Sequence, residues 1–327
     1  MTVHSKTKSG TGKQEFVFVA DLGGTHLRVA TIDRSGTIYC RQMQSTPQAE
    51  KPNEIVHALI DAVRKCEREI AELGGAISAV SIAVPGTVNV AEGVVVKAPN
   101  VPSLDGFRLG AALESELEWP VILEDDANAA AVGEMWKGAG QGYCTLICVT
   151  LGTGVGGGII LDGKLWRGAD GSAGEIGHIG VDPFAGVPCT CGSSGCLEVY
   201  ASATAIVRMT REGIPSYPNS VLPDTEDLTS EKIYRAGKDG DELAIEVFRR
   251  MGVYLGIGLA SVINLLNPEI IVIGGGLANG WELFEKHMRQ QVIERAFPIP
   301  AQRARIVRAQ CGDNAGLLGA ARLAFAD

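Results

Sequence analysis

No stretch of this chain is apolar enough to serve as a leader or an anchor. The first fifteen residues, MTVHSKTKSGTGKQE, hold no hydrophobic segment of the kind a secretory signal needs. No run of about 18 apolar residues occurs that could span a bilayer. Aromatic residues are sparse at 6%, and positive charge is in deficit, with 29 Lys and Arg against 38 Asp and Glu, a net charge of -9. That balance argues against non-specific attachment to nucleic acid or to a membrane surface, which both call for a basic face. Two nucleotide fingerprints are also missing. The SGTGK at 9–13 lacks the full Gly-x4-Gly-Lys-Ser/Thr spacing and no strand precedes it. No Gly-x-Gly-x-x-Gly follows the first strand with an acid about 20 residues on, which sets a dehydrogenase aside. The expectation is a cytoplasmic protein with reduced thiols and no nucleic-acid or membrane partner.

What is present supports a large core. The 327 residues are 46% hydrophobic, enough for two domains. Apolar runs at Phe16–Ala20, Leu27–Ile32 and Ile38–Gln42 predict a three-strand meander, and Asn53–Gly74 carries a helical stripe of Ile55, Leu59, Val63, Cys66 and Ile70. Strands are predicted at Ile77–Val84, Val121–Glu124, Thr145–Leu151, Ile159–Leu161, Ile270–Ile273 and Arg305–Ala309. Helices are predicted over 107–117, from Asp126, over 201–212 and 242–266, from about Trp281, and over 315–325. The order strand, glycine turn with Thr, strand occurs at 16–32 and again at 145–161. This predicts an α/β chain with a duplicated mixed-sheet core and a cleft between two lobes. The expected division is a polar tail over 1–14, a small lobe over 15–120 joined by the C-terminal helix (about 313–327), and a large lobe over 121–312.

The 42 glycines cluster where backbone would meet a ligand. Asp21-Leu-Gly23-Gly24-Thr25 follows the first strand. Successive N–H groups in such a turn make an anion cradle, Thr25 adds a hydroxyl, and Asp21 suits Mg²⁺ through water. Gly152-Thr153-Gly154-Val-Gly156-Gly157-Gly158 reads as a second turn of the same kind. Gly274-Gly275-Gly276 lies between a strand and a helix and suits a base or ribose packed on bare backbone. Glu124-Asp125-Asp126 groups three acids where a strand meets a helix. One of them can cap the helix; Asp126 is assigned as the base that takes a proton from an attacking hydroxyl in phosphoryl transfer. His178 with Cys189, Cys191 and Cys196 makes a closed tetrahedral donor set for structural zinc. Glu175 and Glu198 flank that loop, as acceptors for a polyol or as solvated acids.

Together these segments resemble the ROK family of bacterial sugar kinases and repressors, within the actin/hexokinase-like, ribonuclease H-like ATPase superfamily. The resemblance rests on Asp21–Thr25 with Arg28, on Gly152–Gly158, and on Glu175-Ile-Gly-His178 with Cys189-Thr-Cys-Gly-Ser-Ser-Gly-Cys-Leu-Glu198. It implies ATP, Mg²⁺ and zinc, a hexose acceptor with glucose foremost, and a homodimer. Sugar contacts then fall on Gly86, Asn100, Asp125, Glu175, His178 and Glu198, and the catalytic aspartate on Asp126. N-acetylhexosamine, mannose and fructose kinases, and a sugar sensor without turnover, are the alternatives. The family usually has Asn-Asp where this chain has Asp125-Asp126; an ionised Asp125 accepts from a sugar hydroxyl but cannot donate as an amide does.

Overall fold

The computed structural model describes residues 13–48 and 51–325. The chain opens with β1 (Gln14–Leu22), β2 (His26–Asp33) and β3 (Ile38–Ser45), an antiparallel meander. Helix α1 (Asn53–Glu72) follows and stops at Gly74, whose φ of +75° an L side chain rarely adopts. Then come β4 (Gly75–Val84), a ribbon of β5 (Thr87–Asn89) and β6 (Val94–Lys97), short helix α2 (Leu109–Glu114) and β7 (Val121–Asp125). The first sheet has the order β3-β2-β1-β4-β7, with β1, β4 and β7 parallel.

The pattern then repeats. After α3 (Asp126–Lys137), strands β8 (Leu146–Leu151), β9 (Val155–Leu161) and β10 (Lys164–Leu165) make a second meander. Helices α4 (Glu198–Ala201), α5 (Ala203–Gly213), α6 (Ser230–Lys238) and α7 (Glu242–Leu266) lead to β11 (Ile270–Gly274). Helices α8 (Trp281–Arg295) and α9 (Pro298–Arg303), strand β12 (Arg305–Arg308) and α10 (Ala315–Ala324) complete the chain. The second sheet has the order β10-β9-β8-β11-β12, the same arrangement as the first.

Both faces of each sheet are covered, which is why the central strands are continuous apolar runs rather than alternating ones. In β1, Phe18 and Ala20 pack towards α1 while Val17 and Val19 pack towards α10. In β8, Ile147 and Val149 face the α5–α8 layer, while Leu146 and Cys148 face α3. Helices α3 and α10 therefore lie between the two sheets and cross each other. The crossing is backbone on backbone. A Cβ on Gly319 would lie 1.7 Å from Ala129 O, and one on Gly133 2.1 Å from Ala315 O.

Three expectations are corrected. Strand β7 pairs with β4, so the chain leaves the first sheet at Asp125, five residues beyond the expected division at 120; three apolar residues followed by two acids do not declare a partner, because strand pairing is non-local. Residues Val155–Gly158, expected in a turn, form the start of β9. The expected polar tail lies outside the described residues up to position 12, and Gln14 already belongs to β1. The β5–β6 ribbon, α6 and α9 are not among the predicted elements; the ribbon and α9 are too short to carry a period, whereas the buried face of α6, at Ile233, Ala236 and Gly237, was passed over.

Glu134, fully buried on α3, joins the lobes at the second crossing of the chain. Its carboxylate accepts from Ala139 N (2.9 Å), Gln310 N (3.0 Å) and Cys311 N (2.7 Å). Glu134→Leu leaves those donors without a partner. At about 1–3 kcal/mol for each buried orphan, the expected loss is about 3–5 kcal/mol in denaturant unfolding, among the largest for a single substitution here.

Candidate functional site

The junction of β7 and α3 is built by capping. Asp125 has extended geometry (φ −62°, ψ 143°) and its carboxylate accepts from Asn128 N at 2.9 Å. Asp125 is thus the capping acid among the three, and Asp126, the first helical residue, is left to face the cleft. Glu124 turns the other way. It is 1% exposed, accepts from Asn128 Nδ2 (3.1 Å), and pairs with Arg167 at 2.6 Å.

Asp126 lies at the floor of a cleft of about 710 Å³ between the two sheets. Burial, followed by the charges of Asp21 and Glu175, pushes its carboxyl up to about 7, against the pull of the Ala127 N–H. Asp125 is raised well above the usual carboxylate range, by burial first and then by Asp126. Asp21 is also raised by burial, with Arg28 at 3.3 Å opposing. The floor is thus a set of carboxylates that a bound cation or a proton would relieve.

One wall carries the glycine turns. Gly23 and Gly24 close the β1–β2 hairpin, and Gly152, Thr153 and Gly154 close β8–β9. Among the described residues nothing accepts from the N–H groups of Gly24, Thr153 or Gly154. These are free donors for phosphate oxygens. Thr25 is exposed at the tip of its turn and is not among the residues lining the cleft. Gly156 and Gly157 line the cleft from β9, where their lack of a side chain has a packing reason. A Cβ on Gly156 would lie 2.9 Å from that of Ala127, and one on Gly157 2.5 Å from Gly174 O. Gly158 similarly lets α3 approach, with Ala131 Cβ at 2.5 Å. The glycine run therefore divides into a turn and a close-packed strand.

Gly275 has φ +83°, and a Cβ there would lie 2.3 Å from Leu151 O. It belongs to the same cleft and, with Gly274, to an adjoining recess that holds Asp21, Asp126 and Asp313. Gly276 instead opens on an outer pocket of about 700 Å³ with Tyr234, Arg235 and Arg308. The three turns lie along one continuous path.

A second wall, meeting the first at its edges, gathers Gly86, Asn100, Glu175, His178 and Glu198. Gly86 has φ +102° and its Cβ would lie 2.2 Å from Lys97 O. Asn100 O would come within 2.9 Å of a Cβ on Gly24, so the two walls touch there. Glu198 Oε2 accepts from Val155 N at 3.0 Å, tying the second turn to α4.

Behind this wall lies the cysteine loop. The donor atoms of His178, Cys189, Cys191 and Cys196 all fall within 4.8 Å of one another. Cys189 Sγ is 3.6 Å from His178 Nδ1, and Cys191 Sγ is 3.7 Å from Cys196 Sγ. A tetrahedral ion with bonds of about 2.3 Å spaces its sulfurs by about 3.8 Å. The residues fit one zinc ion with no open position. The loop turns through Gly192 and Gly195, with φ of +93° and +72°. The other ring nitrogen, Nε2, is 3.8 Å from Glu175 Oε2 on the cleft side.

Sequence reasoning overlooked Arg167 and Glu134. A lone cation amid the acid- and glycine-rich segment 165–175 was the available signal for the first. Among the described residues no helix is long and apolar enough to cross a membrane.

Comparison with known proteins agrees over nearly the whole chain. The ROK family model matches residues 18–326. A glucokinase of Halalkalibacterium halodurans is 38% identical over 303 residues, covering 91% of this chain and 92% of that one. A glucokinase of Thermotoga maritima is 35% identical, covering 93% and 95%. The crystal structure of a ROK family glucokinase from Streptomyces griseus, in complex with glucose and AMPPNP, superposes with a TM-score of 0.81 at 36% identity, covering 94% and 98%.

Proposed function

The chain belongs to the ROK family, and from that membership we propose that it is an ATP-dependent kinase for the 6-hydroxyl of a hexose, glucose first. The observation that carries this reading is the position of Asp126. It lines one cleft together with the free main-chain donors of the glycine turns and with the polar groups of Asn100, Glu175, His178 and Glu198, and its carboxyl is pushed up to about 7. The glucose and AMPPNP bound to the Streptomyces griseus relative support the same pair of substrates.

In this mechanism Glu175, His178, Glu198, Asn100, Asp125 and the Gly86 backbone orient the sugar. Asp126 accepts the proton of its 6-hydroxyl as the oxygen–phosphorus bond forms and the bond from the γ-phosphorus to the ADP oxygen breaks. Gly23, Gly24, Gly152, Thr153 and Gly154 hold phosphate oxygens, and Gly274–Gly276 hold the nucleoside end. Mg²⁺, next to Asp21, would supply charge neutralisation for the phosphates. Zinc, held by His178, Cys189, Cys191 and Cys196, would order the loop that carries the sugar contacts.

Two measurements test the reading. Purified protein is assayed for ADP formation with glucose, mannose, fructose and N-acetylhexosamines, using ATP and then polyphosphate as donor. Glucose with ATP is expected to be fastest; no ADP formation with any hexose refutes the reading. The second is the pH profile. Protonation disables the base, so kcat/KM for the sugar is expected to be flat above about 7 and to fall about tenfold per unit below it. Light scattering is expected to give twice the chain mass, as a homodimer requires.

A further inference from the structure

Arg167 and Glu124 lie 43 residues apart and meet at the end of β7, two residues before Asp126. Both Nε (2.8 Å) and Nη2 (2.6 Å) of Arg167 donate to Glu124 Oε2. The other oxygen, Oε1, accepts from Asp125 N (3.2 Å) and Asn128 Nδ2 (3.1 Å). Glu124 therefore grips the first turn of α3 with one oxygen and an arginine from the other lobe with the second.

Arg167 is also the foot of a loop. Its carbonyl accepts from Ala173 N at 3.1 Å, closing the segment 167–173 on itself. Gly171, Ala173 and Gly174 of that loop line the cleft, and the chain runs straight on into Glu175 and His178. Gly171 approaches the small lobe, where a Cβ would lie 3.0 Å from Val88 O. The nearby cations are already engaged: Arg28 with Asp21, and Lys97 with Asp105.

We propose that Arg167 is a positioning residue, which through Glu124 holds the sugar-side loop in register with Asp126. This rests on the reading of Asp126 as the base and of 175–178 as sugar contacts. Arg167 touches neither substrate. Its guanidinium plane gives two donors in fixed relation to one carboxylate, so the loop and the start of α3 move as one piece. An ammonium supplies charge without that plane.

The test compares Arg167→Gln, Arg167→Lys, Glu124→Gln and the double variant Arg167→Gln/Glu124→Gln in steady-state assays with the best hexose and ATP. Arg167→Gln is expected to lower kcat by about 10–100-fold and to raise the sugar KM by less than that, with the KM for ATP within about twofold of wild type. Arg167→Lys should lose only about three- to tenfold in kcat. The double variant should be no worse than about twice the poorer single variant, because both disable one contact. A purely structural role would lower the melting temperature and leave kcat unchanged, and that result overturns the proposal. So does full additivity of the two single losses. Should Arg167→Gln not fold, Arg167→Lys decides: wild-type kcat in that variant overturns the proposal. Wild-type protein inactive on every hexose would sink the kinase reading and this inference together, whereas an active wild type with an unaltered Arg167→Gln sinks this inference alone.

Discussion

Asp126→Asn is expected to lower kcat by about 10²–10⁴-fold while the KM values for sugar and ATP stay within a few-fold. That loss corresponds to about 3–5 kcal/mol of barrier. The amide matches the carboxylate in shape and still accepts one hydrogen bond, so the sugar hydroxyl remains placed. What disappears is the ability to take its proton. The variant should also melt at or above the temperature of the parent, because Asp126 lies between Asp21 and Glu175 and its carboxyl is pushed up to about 7. Removing an ionisable group that burial and like charge disfavour relieves the fold. Lost turnover with an intact or raised melting point therefore separates chemistry from structure. Steady-state kinetics and a thermal melt suffice, and a kcat within threefold of wild type would remove Asp126 from its assigned role.

The second large effect concerns the metal loop. Cys196→Ser, or exhaustive chelation, is expected to take bound zinc from one ion per chain to none and to raise the sugar KM by about 10–100-fold or more. A structural zinc site supplies binding energy that is also folding energy. His178 Nδ1 lies 3.6 Å from Cys189 Sγ within the candidate donor set, and its Nε2 lies 3.8 Å from Glu175. Loss of the ion frees the ring and the segment leading to Glu198. The glycine turn at 152–154 is expected to keep its affinity for nucleotide, apart from what the Glu198–Val155 contact at 3.0 Å contributes. Elemental analysis with parallel sugar and ATP titrations checks this. Unchanged sugar affinity in metal-free protein excludes the coupling.

The parts legible in the sequence were those whose signals are local. The cysteines at 189, 191 and 196 crowd one loop, and the glycine turns sit at the ends of apolar runs. Apolar runs at 16–20 and 146–149 announced strands, which the structure shows to be covered on both faces. The parts that escaped depend on distance. Val121–Glu124 reads as a strand, but nothing in four residues says that it pairs with β4. Five glycines in seven positions read as one long turn because sequence does not distinguish a glycine that bends the chain from one that admits Ala127 and Ala131 of a packed helix. Among the three consecutive acids at 124–126 the sequence singled out Asp126 but did not say which one caps the helix; the bond from Asn128 N identifies Asp125 as the cap, and the pair with Arg167 turns Glu124 away from the cleft. Glu134 sat in plain view as an acid on an alanine-rich helix, and only its partners 176 and 177 residues away explain it.

The bare contact between Gly133 and Ala315, and between Gly319 and Ala129, has a mechanical consequence. Seven residues separate Asp126 from Gly133, about 10 Å along a helix. A swing of 10° about that point would shift the carboxylate by under about 2 Å, while a rim 25 Å away would travel about 4 Å. A closure about this point would carry the rims far while keeping the reacting atom almost stationary, like a latch mounted beside the axle of a gate. Beside that bare contact Glu134 ties the same point to Gln310 N and Cys311 N, and Trp136 meets Phe325, so the axle itself is held while the rims are not.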